Sequence, residues 1–312
     1  MQASINNSIN NSINNSINNS INVQQQFETI EIDINQSYQA AWVKFLHPER
    51  PVMTTQLLEE FATGLNMVHH LAGQNQSTAS SGQIQYLVLS SAMDGVFNLG
   101  GDLEHFLDLI TRQDKQGLSA YGHACTDILV RSMNGAGHDL CSIALVEGEC
   151  LGGGFEAALA ADVLIAEKRA RFGFPETQFG LFPGMGAFSF LARKLTPALA
   201  KRLITSGRIH TAEELYDMGV VDVLVEDGRG EEMVRHYIRR RQQREGGLRA
   251  MDSIMDQHNP VTHQELESIV DLWVDTALQL NKHNLDMMRY LLKAQAKRWG
   301  GQQQQNAVRK AA

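Results

Sequence analysis

Cysteine is scarce in this chain, with three residues among 312: Cys125, Cys141 and Cys150. An odd number without metal-type spacing implies neither a disulfide framework nor a zinc site. Cys150 lies close to a glycine-rich segment, but no partner base stands near it in sequence, which argues against a nucleophilic role. Long apolar runs are lacking as well, and nothing approaches the roughly 18 to 20 residues of a membrane span. The first residues carry neither the basic nor the apolar region of a secretory signal, so a reducing cytoplasm is the expected setting. Positive charge is in the minority, 27 Lys and Arg against 35 Asp and Glu for a formal charge of -8, and that field disfavours nucleic acid as a partner. Two phosphate-loop signatures are missing too. The run Gly152-Gly153-Gly154-Phe155-Glu156-Ala157 lacks the final glycine of a dinucleotide fingerprint, and no Walker A lysine exists. No cofactor and no metal are therefore expected.

What is present fits a folded protein: 43% hydrophobic and 20% charged residues. A Ser-Ile-Asn-Asn repeat from Ser4 to Asn22 is too polar to build a core, so residues 1–24 are expected to form a disordered tail. The globular pattern begins at Phe27. Tyr86 to Ala92 reads as a buried strand, followed by the turn Asp94-Gly95 and by Phe97-Asn98-Leu99-Gly100-Gly101-Asp102. Asp102 is a suitable N-cap for a helix carrying Leu103, Phe106, Leu107 and Ile110. The same grammar recurs: strand Ser142 to Val146, turn Gly152-Gly153-Gly154, helix from Phe155, then extended pieces at Val163 to Ala166 and Ala170 to Phe174. Strands alternating with helices predict an α/β architecture with a largely parallel sheet. Helices follow around Phe188 to Leu195 and Pro197 to Thr205. Thr211 with Glu214 makes a capping box, and Val220 to Val225 closes the sheet. Residues 25–230 thus form the core. Residues 231–312 read as helical, with Glu265 to Arg298 expected to lie over the sheet and the Gln302 to Gln305 run as a frayed end. Arg235, Arg239, Arg240, Arg241, Arg244 and Arg249 form either a solvated helix face or a dock for an acidic partner.

Two glycine turns, Gly100-Gly101 and Gly152-Gly153-Gly154, each stand between a strand and a helix. Glycine permits close approach of main-chain amides to a ligand. Two such turns side by side could present a pair of N–H groups to one developing oxyanion, as a thioester carbonyl requires. Taken singly, either turn could equally be tight packing or a phosphate cradle. Glu156 sits in the run Phe155 to Leu159, and Glu176 follows Phe172-Gly173-Phe174-Pro175. Carboxylates in apolar surroundings are costly without a partner or a purpose, and two facing one cleft would raise one another's pKa. The bland reading of Glu156, a first-turn acid complementing the helix dipole, remains open at this point.

Leu99-Gly100-Gly101-Asp102-Leu103, Val146-Glu147-Gly148 with Leu151 to Glu156, and Phe174-Pro175-Glu176 with Leu181-Phe182-Pro183-Gly184-Met185-Gly186 resemble the crotonase superfamily in order and spacing. The resemblance implies a spiral of β-β-α units with a helical C-terminal region covering an acyl pocket. It assigns the oxyanion amides to Gly101 and Gly153 and the acid/base groups to Glu156 and Glu176. Leu99, Gly100, Leu151, Gly152, Met185 and Trp273 would lie against substrate. Within the superfamily, Asp94 to Leu103, Gly154 to Leu159, Leu181 to Ala187 and Trp273 to Ala277 are similar to the diffusible signal factor synthases. That likeness implies dehydration of a 3-hydroxyacyl group on acyl carrier protein or CoA to a cis-2-enoyl thioester, followed by hydrolysis to the free acid. It further implies a sensor kinase receiver domain as a partner, and the superfamily resemblance implies a homotrimer. Two alternatives stand beside it: an enoyl-CoA hydratase/isomerase of fatty acid degradation, and a catalytically silent scaffold for a regulator.

Overall fold

The computed structural model describes residues 27–74, 84–133 and 140–311, so the Ser-Ile-Asn-Asn repeat lies outside the described residues. Two strands, β1 (Ile30–Asn35) and β2 (Ala40–Phe45), form an antiparallel hairpin with Ile30 opposite Phe45. Helix α1 (Thr55–Gln74) leads to β3 (Tyr86–Ser91) and β4 (Val96–Asn98), then to α2 (Leu103–Thr111) and α3 (Lys115–Ser132). Strands β5 (Cys141–Val146) and β6 (Glu149–Leu151) precede α4 (Gly153–Leu159). Strands β7 (Val163–Glu167) and β8 (Arg171–Gly173) precede a 3₁₀ turn, Pro175–Phe179. Helices α5 (Ala187–Lys194) and α6 (Pro197–Thr205) follow, then β9 (His210–Thr211), α7 (Ala212–Asp217) and β10 (Val223–Val225).

The strands sort into two sheets, β1-β2-β3-β5-β7-β10 and β4-β6-β8-β9. From β2 to β10 the large sheet is parallel. Each pair β3/β4, β5/β6 and β7/β8 gives one strand to each sheet, which is the expected spiral. The turns between paired strands stack on one another. A Cβ on Gly148 would lie 2.0 Å from the Gly95 carbonyl carbon, so only glycine fits there. Strand β5 is buried along its whole length, as a parallel strand covered on both faces must be. Its one hydroxyl is satisfied: Ser142 N and Oγ both donate to Asp162 Oδ2, at 2.7 and 2.9 Å.

Asp102 caps α2 by accepting from Glu104 N and His105 N, and the Thr211–Glu214 capping box opens α7. The last strand is shorter than expected, because Val220 and Val221 turn their N–H groups back to Leu215 O before β10 begins. The C-terminal helices are α8 (Gly230–Gln242), α9 (Glu245–His258), α10 (His263–Leu278) and α11 (Lys282–Ala311). The expected helices over Glu265 to Arg298 are separated at Asn281, where the main-chain N–H groups of Asn281 and Asn284 each donate to the other's side-chain oxygen. The helix then continues through the glutamine run instead of fraying, in keeping with glutamine's good helix propensity.

The C-terminal helices also do not pack as expected. One face of the large sheet is covered by α8 through Val234 and Ile238, and the other by the main core, so neither face is left for α10 and α11. Instead α10 packs on α3, at a point where a Cβ on Gly122 would lie 2.5 Å from Val270 Cγ1. Helix α11 packs on α2 and on the 3₁₀ turn. Among the described residues no helix is long and apolar enough to cross a membrane.

The arginines from 235 to 249 are largely engaged within the chain. Arg235 pairs with Glu231 at 2.8 Å, the mostly buried Arg241 with Asp252, and Arg249 with Glu245. Arg235 also covers the Trp42 ring and Arg239 the Tyr38 ring. The ring contacts hold α8 to the body, and the Arg241–Asp252 pair holds α8 to α9.

Candidate active site

The two glycine turns meet backbone to backbone. In the first, Gly100 has φ +100, its N–H donates to Asn98 Oδ1 at 2.8 Å, and its carbonyl accepts from Met53 N at 2.8 Å. In the second, Gly152 has φ +49 and its N–H donates to Gly173 O at 2.9 Å. A Cβ on Gly100 would lie 3.0 Å from Leu151 O and 3.1 Å from Gly153 N, so the turns touch because neither carries a side chain there. The first amides of α4 have no acceptor within the helix, so Gly153 N–H is free to serve a ligand. Gly101 and Gly153 both border a cavity of about 260 Å³.

The two glutamates line the same cavity. Glu156 is 1% exposed, and its Oε1 accepts from Met185 N at 2.8 Å and Ala187 N at 3.0 Å. Glu156 is therefore held by the 183–187 segment, and the helix-dipole reading does not account for its placement. Burial raises its pKa to about 7, while the two amide bonds pull the other way. Glu176 stands in the 3₁₀ turn with a buried Oε2 that has no hydrogen-bond partner. Burial, then the charge of Glu156, raises its pKa to about 8. Gly152 makes room for this side chain: a Cβ there would lie 2.3 Å from Glu176 Oε1. Beneath the pair, Phe155 stacks on Phe174 at 4.9 Å and leans on Phe172 at 5.0 Å, locking α4 to β8 and the 3₁₀ turn.

Of the other expected residues, Leu99, Leu151, Met185 and Trp273 are in the cavity wall. Gly100 and Gly152 are not in it; they shape the turns behind it. Trp273 is 2% exposed, meets Phe106 edge-on at 5.1 Å, and lies over Gly184, where a Cβ would fall 2.3 Å from its Cγ. Cys150 is fully buried outside the cavity, and burial pushes its thiol well up, so it is a core residue.

The rest of the wall was not identified from sequence. Leu58 and Phe61 come from α1, and Tyr121, Cys125, Ile128 and Leu129 from α3. The spacing of Leu118, Tyr121, Cys125, Ile128 and Leu129 is helical and could have marked one apolar face, though not the cavity it lines. The result is a mostly apolar chamber with two carboxyl groups and two glycine amides on one side, an arrangement suited to proton transfer beside a polarised carbonyl.

Comparison with known proteins gives the chain a family and a fold. Rat mitochondrial methylglutaconyl-CoA hydratase is 29% identical over 161 residues, 52% of this chain and 49% of the relative. The chain thus spans about half the length of that curated relative. Among solved structures, enoyl-CoA hydratase from Bacillus halodurans superposes with a TM-score of 0.69 at 22% identity, covering 84% of this chain and 100% of that one. Human mitochondrial delta3-delta2-enoyl-CoA isomerase gives 0.70 at 18%, covering 86% and 99%. At those identities the structures establish the fold. The enoyl-CoA hydratase/isomerase family model matches residues 43–301, and the chain belongs to that family.

Proposed function

We propose that this site adds water to, or removes it from, an acyl thioester, interconverting 2-enoyl and 3-hydroxyacyl forms. One observation carries the reading: two buried carboxyl groups with unequal partners face one apolar cavity beside two glycine amides. Glu156 has two N–H donors that favour its anion, whereas Glu176 has an unpartnered oxygen and feels the charge of Glu156. Near neutrality the pair then holds one proton, mainly on Glu176. In hydration Glu156 takes a proton from water as the oxygen attacks Cβ, and Glu176 delivers its proton to Cα. Dehydration runs the same steps backward from the other tautomer of the pair. The amides of Gly101 and Gly153 receive the thioester oxygen as it becomes enolate-like. Leu58, Phe61, Ile128 and Leu129 take the acyl chain.

A finer reading adds thioester cleavage. After dehydration to the cis-2-enoyl thioester, one carboxylate takes a proton from a second water as its oxygen attacks the carbonyl carbon, the C–S bond breaks, and the carrier leaves as its thiol on receiving a proton from the pair, which frees the acid. Its support is the likeness of Phe97 to Leu103 and Trp273 to Ala277 to the signal factor synthases. CoA is the carrier named in the rat relative, while acyl carrier protein and a receiver-domain partner belong to the synthase reading, and a trimer to either reading. The deciding experiment incubates the full chain with 3-hydroxydodecanoyl-CoA and with the carrier-protein thioester, and resolves the products by mass spectrometry. Enoyl thioester alone supports the hydratase, and free cis-2-enoic acid supports the synthase. Unchanged substrate with both carriers and with enoyl-CoA overturns both in favour of a scaffold. Glu156→Ala and Glu176→Ala should abolish whichever activity is found.

A further inference from the structure

Two amides can share one developing oxyanion only if both N–H groups converge on it, and a displacement of about 1 Å is enough to cost ~100-fold in rate. The direction of the Gly101 N–H is set by the φ and ψ of Gly100, and glycine has little intrinsic preference to hold them. Two hydrogen bonds hold them instead. The Gly100 carbonyl accepts from Met53 N at 2.8 Å. That carbonyl and the Gly101 N–H belong to one planar trans peptide, so anchoring the oxygen aims the N–H the opposite way. The peptide on the other side of Gly100 is anchored by its N–H, which donates to Asn98 Oδ1 at 2.8 Å. With both flanking planes pinned, Gly100 is kept at φ +100.

Asn98 also reaches the second turn. It is 0% exposed at the end of β4, and its main-chain oxygen and Cβ would lie 2.5 and 2.8 Å from a Cβ on Gly154, in the first turn of α4. One residue therefore abuts both halves of the amide pair. Its Nδ2 is buried without a partner, an unfavourable arrangement that a hydrocarbon side chain would avoid. The only side-chain hydrogen bond recorded for Asn98 among the described residues is the one that fixes Gly100. We propose that Asn98 is a positioning residue that sets the convergence of the Gly101 and Gly153 amides, and through them the polarisation of the substrate carbonyl. This rests on the thioester reading above.

The test uses the full chain and 2,4-hexadienoyl-CoA, a conjugated thioester whose absorbance moves to longer wavelength when its carbonyl oxygen accepts stronger hydrogen bonds. Asn98→Leu keeps the approximate volume and removes the acceptor, Asn98→Ala removes it without added bulk should leucine prevent folding, and Asn98→Asp keeps an acceptor oxygen. The expected result is a red shift with wild type that is mostly lost in Asn98→Leu or Asn98→Ala, at a dissociation constant within about threefold of wild type. Turnover should fall ~100-fold in kcat with little change in KM, and Asn98→Asp should recover both the red shift and at least ~10-fold of the rate. A full red shift and near-normal kcat in Asn98→Leu or Asn98→Ala would overturn the assignment while leaving the thioester reading intact. So would equal losses in Asn98→Asp and Asn98→Leu that follow a lowered Tm. A wild-type protein that neither shifts the probe nor turns over enoyl or 3-hydroxyacyl thioesters overturns both.

Discussion

The chain carries two pairs of glutamates, with Glu156 and Glu167 buried and Glu147 and Glu176 half-buried, and the spiral places them in corresponding positions: Glu147 and Glu156 flank β6, while Glu167 and Glu176 flank β8. Glu147 and Glu167 follow the last residues of the large sheet's β5 and end β7; Glu156 and Glu176 border the cavity. A raised pKa does not separate them, since Glu147 is also pushed up to about 7, by burial and by the charges of Glu167 and Glu231. What separates them is their partners. Glu167 takes the Gly228 and Gly230 N–H groups at 2.7 and 3.1 Å on one oxygen and Arg169 Nε at 2.8 Å on the other. The two amides make that cluster a fastening between β7 and the start of α8, and the arginine neutralises the carboxylate. The Glu156–Glu176 pair has amides on one member and an open cavity before both, with no cation between them among the described ion pairs. A buried carboxylate with a cation holds elements together, whereas one facing a cavity can exchange its proton with a ligand.

The strongest way to break this contrast is to remove the cavity-facing groups. Glu156→Gln and Glu176→Gln should each lower kcat by about 10³-fold or more, and the double variant should be scarcely worse than either, because the two act as one unit. Additive losses in a steady-state assay would mean independent roles. The pH profile sharpens the same point. With wild type, activity in the hydration direction should fall on the acid side as Glu156 protonates near 7 and on the alkaline side as Glu176 ionises near 8. In Glu156→Gln the neighbouring negative charge is gone, so the Glu176 pKa should drop; a carboxyl titration followed by infrared difference spectroscopy reads this without turnover.

A smaller loss is expected at Gly152. Alanine there meets Glu176 Oε1 and must also adopt φ +49, so Gly152→Ala should displace that carboxyl group and reduce kcat by ~100-fold. Restoration of the rate in Gly152→Ala combined with Glu176→Asp, whose shorter side chain relieves the clash, would identify the carboxyl position as the cause. No restoration would point to the strained backbone.

The parts of this site that were legible in sequence are those that demand particular residue types. Gly100 and Gly152 sit at positive φ, and Gly148 and Gly154 meet backbone where a Cβ would fall, so few other residues would serve. Glu156 and Glu176 stood out because a carboxylate among Phe and Ala is costly. Asp102 and Thr211 marked their helices because capping is a local hydrogen bond within a few residues. The apolar wall was not legible: Phe61, Ile128 and Leu129 are ordinary core residues until α1 and α3 fold around the cavity. The mistaken placement of α10 had the same origin. Its packing is set by Gly122 against Val270 and Gly184 under Trp273, contacts between segments distant in sequence that no local pattern pairs.

The smallest effect tests the fastening pair. Glu147 lies outside the cavity, so Glu147→Gln should leave kcat and KM at wild-type values. Its effect belongs to stability. The folded pKa of Glu147, about 7, exceeds the ordinary value of 4.5, so the folded state favours the protonated group. Below pH 4.5 the carboxyl is neutral in both folded and unfolded chains and its protonated form stabilises fully. As pH rises toward 7 the unfolded chain releases the proton more readily, and this contribution is lost until the folded group also ionises. Glutamine copies the neutral acid at every pH. The two proteins should therefore unfold at similar urea midpoints near pH 4, and the variant should be more stable at pH 8 by about 1 to 2 kcal/mol, roughly half of what the full rise from 4.5 to 7 would give, because solvent screens this partly exposed carboxyl group. A constant difference across that range would mean that Glu147 does not change its charge in the folded protein. A loss of turnover would place the fastening pair within the catalytic apparatus and dissolve the distinction between the two pairs.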